Sequence, residues 1–90
     1  MTQDDKLAHV RAVKERYEAR LLKKANVVGV GIGAEMEDGA PTGDYVLIVS
    51  ITKKLPERQL RRRDRIPETL DGVQVEVQVV GEIKALEKED

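Results

Sequence analysis

The residues from which chemistry could be built are few. They are the glycines of Gly29-Val30-Gly31-Ile32-Gly33, the single histidine His9, the single serine Ser50, the acidic pair Glu37/Asp38, and the basic run Lys53, Lys54, Arg58, Arg61, Arg62, Arg63 and Arg65. A glycine string can cradle phosphate only where it leaves a strand and opens directly onto a helix N-terminus. Here the residues that follow read as a second strand, so a nucleotide loop is not expected. His9 stands one helical turn after Asp5, a spacing that makes a surface pair and falls short of a metal site, which would need further ligands from elsewhere. Ser50 has no histidine predicted beside it, so a hydrolytic triad lacks its base. Glu37 and Asp38 sit in a polar, turn-forming stretch without the rigid burial that tunes a carboxyl group for acid or base work. No catalytic residue, metal site or cofactor is assigned from these positions, and the chain is expected not to be an enzyme. The basic run remains, with cations that could hold phosphates through salt-sensitive charge neutralisation.

What must position these residues is a small amount of aliphatic material. The 90 residues lie below the usual domain size of roughly 100 to 150 and leave room for one core, so residues 1–90 are read as a single domain. Its apolar supply is 12 Val, 8 Leu and 5 Ile, with no Phe or Trp and only Tyr17 and Tyr45 as aromatics. A core so thin gains from burying area against a second copy or a partner. Charge is dense at 37% but nearly balanced at net −1, which argues against a polyanion-binding or membrane-coating protein. It is unevenly spread. Residues 35–44 carry four acidic side chains and no basic one, whereas residues 53–65 carry seven basic and two acidic. No apolar run is long enough to span a bilayer and no basic-then-apolar leader is present, so the expected location is cytoplasmic. The lack of cysteine excludes disulfides and thiolate sites.

Periodicity divides the chain. Leu7, Val10, Val13 or Lys14, Tyr17, Leu21 and Leu22 recur at helical steps and predict an amphipathic helix over residues 2–25, with Asp4 and Asp5 in its first turn, Lys23 and Lys24 in its last, and Asn26 as a left-handed stop. From Val27 the period becomes two. A strand over 27–36 sets Val28, Val30, Ile32, Ala34 and Met36 on one face and Gly29, Gly31, Gly33 and Glu35 on the other. A hairpin loop is expected over 37–44, a strand over 45–54 that is apolar on both faces near its start, and a short helix over 56–64 opened by Pro56. A turn at Leu70-Asp71-Gly72 leads to a half-buried strand over 73–81, and a charged tail follows over 82–90.

The expected fold is therefore α+β, in the order α-β-β-α-β, with a three-stranded sheet and both helices on one face. The other face would present Gly29, Gly31, Gly33, Val46 and Ile48 as an open apolar surface. Three glycines on one strand face suggest a close approach by something else, and this face, or an exposed sheet edge, is the expected site for a protein partner, either another copy or a separate chain. A nucleic-acid-binding role for the 53–65 run is the alternative. The α-β-β-α-β order resembles that of prokaryotic-type KH domains, but the chain has no GxxG loop and no sheet aromatic on which a base could stack.

A further resemblance lies in the strings NVVGVGIG, TGDY, VLIVSITKKLP and IPETLDGV followed by a valine strand ending at Gly81. Over about residues 20–85 these resemble the N-terminal, non-catalytic domain that precedes the trypsin-like domain in a group of bacterial serine proteases and in the plant Narrow-leaf-type proteases. The most telling elements are the glycine-valine strand, Lys54-Leu55-Pro56, and Ile66-Pro67 with Asp71-Gly72-Val73. None is a catalytic motif. The resemblance implies an accessory or oligomerising domain, acting alone or on a separate protein.

Overall fold

The computed structural model of the chain describes residues 2–81, apart from the side chain of Glu57. The described residues form one α-helix, α1 (Gln3–Leu22), and four strands, β1 (Val27–Glu37), β2 (Ala40–Ile51), β3 (Thr69–Leu70) and β4 (Val73–Val79), in a mixed sheet of order β1-β2-β4-β3. The α+β class agrees with expectation; the three-stranded sheet and the second helix do not. The tail expected over 82–90 lies outside the described residues.

Helix α1 is bounded by local chemistry. Thr2 Oγ1 accepts from the Asp5 backbone N–H at 3.1 Å and Asp5 Oδ2 accepts from the Thr2 N–H at 3.2 Å, a reciprocal capping box. At the other end Lys23 closes the helix and Asn26 takes the left-handed conformation, φ 76°. The Asn26 side chain then bonds Thr52 Oγ1 and the Lys53 carbonyl, while its own carbonyl accepts from the Thr52 N–H at 3.1 Å, tying the helix exit to the end of β2. Val10, Val13 and Leu21 are buried; Leu22, assigned to the same stripe from its spacing, is 42% exposed.

The loop expected over 37–44 is in fact a two-residue turn. Asp38 and Gly39 have φ values of 54° and 81°, positive at both central positions, which is the hairpin turn whose twist matches paired strands. Strand β2 accordingly begins at Ala40 and runs through Pro41 and Gly43. Pro41 is tolerated because pairing with β4 begins at Leu47, so that no described strand lies on the outer side of β2 at Pro41. Register shifts between Val27 and Gly29 and between Ala34 and Met36 break the simple alternation of β1. Val27 consequently packs into the core, while Val28 and Met36 are 40% and 54% exposed.

The helix expected over 56–64 is replaced by two 3₁₀ turns, Glu57–Gln59 and Arg62–Asp64, separated by Arg61 in an extended conformation, ψ 152°. With Leu60 as its only apolar residue, this stretch has no stripe to bury, and a helix so short draws its stability from packing. The connection carries the chain from β2 to β4, which pair in parallel, Leu47 opposite Val75 and Val49 opposite Val77. Asp71 and Gly72, φ 49° and 83°, form a second tight turn that folds Thr69–Leu70 back onto Val73–Gln74 as β3.

With a strand on each side, β2 holds the centre. Leu47 and Val49 are fully buried against α1, in two adjoining groups of side chains: Val10, Val13, Leu47 and Val73, then Leu21, Val49 and Ile51. Burying one such side chain stabilises by about 1.5–3 kcal/mol, and Tyr17, Val30, Leu70 and Val75 bridge the two groups.

Candidate functional site

Helix α1 covers the face of the sheet that carries Val30, Ile32, Leu47, Val49 and Val75. The opposite face carries Gly29, Gly31 and Gly33 of β1, Val46, Ile48 and Ser50 of β2, and the exposed Gln74, Glu76 and Gln78 of β4. All three glycines are half-buried, and no described helix crosses them. They differ in what lies over them. Among the described residues a Cβ added at Gly31 would meet no atom within 4 Å, and one at Gly29 would touch only Ser50, at 3.7 Å. The place of a Cβ at Gly33 is taken by Ile48, whose Cδ1 falls well inside van der Waals contact and whose Cγ1 lies 3.3 Å away. Ile48 thus leans across its neighbour strand and fills the space that glycine leaves. Val46 is enclosed as well, at 1% exposure, and contributes nothing to the accessible surface. Of the five residues expected to form a surface, Gly29, Gly31, Gly33 and Ile48 are half-buried, Gly33 beneath Ile48, and Val46 is buried.

The remaining sequence candidates are dispersed. His9 does not pair with Asp5: its Nε2 lies 3.0 Å from the Asp71 carbonyl oxygen, and Asp5 is engaged in the capping box. The Asp71 carboxylate also receives the Arg16 guanidinium at 2.6 Å and the Tyr17 hydroxyl at 3.0 Å, so the hairpin turn is clamped to α1 at three points. A shallow cleft opens beside His9, lined by Lys6, Glu35, Asp44, Tyr45 and Gly72, with Lys6 and Asp44 paired across it at 2.8 Å. Ser50 faces away from the helix that carries His9. Glu37 ends β1 and Asp38 opens the tight β1–β2 turn, and both are exposed. Among the described residues no group of three or more His, Asp or Glu side chains is arranged to hold a metal ion.

Lys53, Lys54, Arg58, Arg61, Arg62, Arg63 and Arg65 are all exposed along the connection between β2 and β3. The fold adds to them. Lys24 Nζ donates to the Arg63 carbonyl and the Ala25 N–H donates to Asp64 Oδ1 at 3.0 Å, which docks the second 3₁₀ turn against the end of α1. Arg20, Lys23, Lys24 and Arg63 then line one open cleft with Asp64. Sequence reasoning treated the two basic stretches separately; the available signal was the density of cations in the last turn of α1, where the helix dipole already accounted for them.

Among the described residues no helix is long and apolar enough to cross a membrane. Comparison with family models, with characterised proteins and with solved structures finds no match to the chain.

Proposed function

We propose that the chain is a non-catalytic, cytoplasmic module for protein interaction or self-assembly that works through its sheet. The observation carrying this reading is the asymmetry of that sheet: α1 covers one face, while at Gly31 on the other face an added Cβ would meet no described atom within 4 Å. On the helix-side face, Val77 and Val79 at the far end of β4 are 47% and 53% exposed, adding apolar surface that α1 leaves uncovered. The resemblance to the non-catalytic domain of trypsin-like serine proteases supports an accessory role beside another protein. In light scattering the wild-type chain is expected to exceed the 10.1 kDa of one copy. Gly31→Arg and Ile48→Glu are expected to reduce that mass with circular dichroism unchanged, and an oligomer mass untouched by either substitution removes the reading.

A second reading draws on the joined basic cleft of Arg20, Lys23, Lys24 and Arg63, which suits a phosphate backbone. Reversing Arg61, Arg62 and Arg63 together should eliminate a salt-dependent shift on RNA or DNA; no shift of the wild type at low salt ends this alternative.

A further inference from the structure

We infer that the partner is a second copy of this chain, joined by antiparallel pairing of β1 with β1 of the other copy about a two-fold axis. The inference rests on the interaction reading above and names its partner. Strand β1 ends the sheet: over eleven residues it has a described strand on one side only, so half of its backbone N–H and C=O groups point outward. Soluble proteins guard such edges with Lys, Pro or inward charges. From Val27 to Ala34 this edge has none of these, and the register shifts that bend it lie near its two ends, leaving Gly29 to Ala34 regular.

Charge decides between a second copy and an unrelated strand. The strand is acidic at one end, where Glu35, Glu37 and Asp38 lie, and is preceded at the other by the basic Lys23 and Lys24. A two-fold axis near Gly31 or Ile32 reverses one edge against the other. It lays the acidic end of each copy beside the basic end of its partner and sets exposed Met36 near exposed Val28. An isologous interface demands this self-complementarity, and a β1–β1 pair closes as a dimer, whereas β1 pairing with the outer edge of β4 would propagate without end.

The test is sedimentation equilibrium of the full chain at low ionic strength, with amide exchange as a second readout. Wild type is expected to pass from 10.1 kDa to twice that mass as concentration rises, with slowed exchange confined to Val28–Ala34. Gly31→Lys is expected to be tolerated in the monomer, since a Cβ there meets no described atom within 4 Å, but opposes its own copy across the axis. Glu37→Lys and Lys23→Glu should each weaken the dimer by roughly tenfold, the two contacts per dimer doubling each effect, and the double variant should recover most of it. A mass of one copy at every concentration overturns the second-copy inference and leaves a heterologous partner to the broader reading. A dimer weakened by Ile48→Glu but indifferent to Gly31→Lys and to the charge exchange overturns β1 pairing while leaving the sheet-face reading intact.

Discussion

The Tyr17 hydroxyl of α1 donates to Asp71 Oδ1 at 3.0 Å, joining the middle of the helix to the tip of the β3–β4 hairpin. Asp71 has two tasks, because the same residue takes φ 49° in a turn that needs left-handed backbone. Its carboxylate holds the helix and its backbone reverses the chain.

Asp71→Ala removes both functions and is expected to cost about 1–3 kcal/mol in urea unfolding. Asp71→Asn keeps the turn and an acceptor for Tyr17, losing only the charge opposite Arg16, and should cost less than half as much. Since the pair is partly exposed, Arg16→Ala should cost at most about 0.5 kcal/mol. Equal losses for Asp71→Ala and Asp71→Asn would remove the backbone part of the account.

Two glycines on one strand should respond in opposite ways. Gly33→Ala collides with Ile48 and is expected to destabilise by about 1–3 kcal/mol, an effect largely relieved in the Gly33→Ala/Ile48→Val double variant. Gly31→Ala meets nothing and should stabilise by up to about 1 kcal/mol through the lost freedom of the unfolded chain. A thermal melt of the three variants checks this, and equal shifts for both alanines would contradict it.

At the exit of α1, Asn26 combines φ 76° with bonds to Thr52 and Lys53. Asn26→Gly should retain the backbone and lose the side-chain bonds, at about 1 kcal/mol, while Asn26→Ala loses both and should cost roughly 2–3 kcal/mol. Denaturant titration that ranks glycine below alanine would show the conformation to be unimportant.

Signals of strictly local origin were legible in the sequence. Asp4, Asp5 and Asn26 announce the ends of α1, and Asp71-Gly72 its hairpin. Asp38-Gly39 is the same dipeptide, yet Pro41 and Gly43 concealed it, because a strand tolerates them only where no neighbour pairs with that side, and the absence of a neighbour is set by where β4 begins. The enclosure of Val46 and the tilt of Ile48 into Gly33 depend on register between strands, which alternation along one strand does not contain. The convergence of Arg20, Lys23 and Lys24 with Arg63 likewise belongs to the fold: it arises because the second 3₁₀ turn docks on the helix end. The helix expected over 56–64 failed for want of a partner surface, which Leu60 alone does not provide.

The parallel seam between β2 and β4 also orders the events of folding. The β1–β2 hairpin closes through two residues, but Leu47 reaches Val75 only after the whole connection has been gathered in, so its loop-closure entropy is compensated late. With Val77 and Val79 gaining little burial, the far half of β4 is the portion of the sheet whose detachment costs least, and transient opening there would leave α1 and the β1–β2 hairpin standing as a smaller cooperative unit.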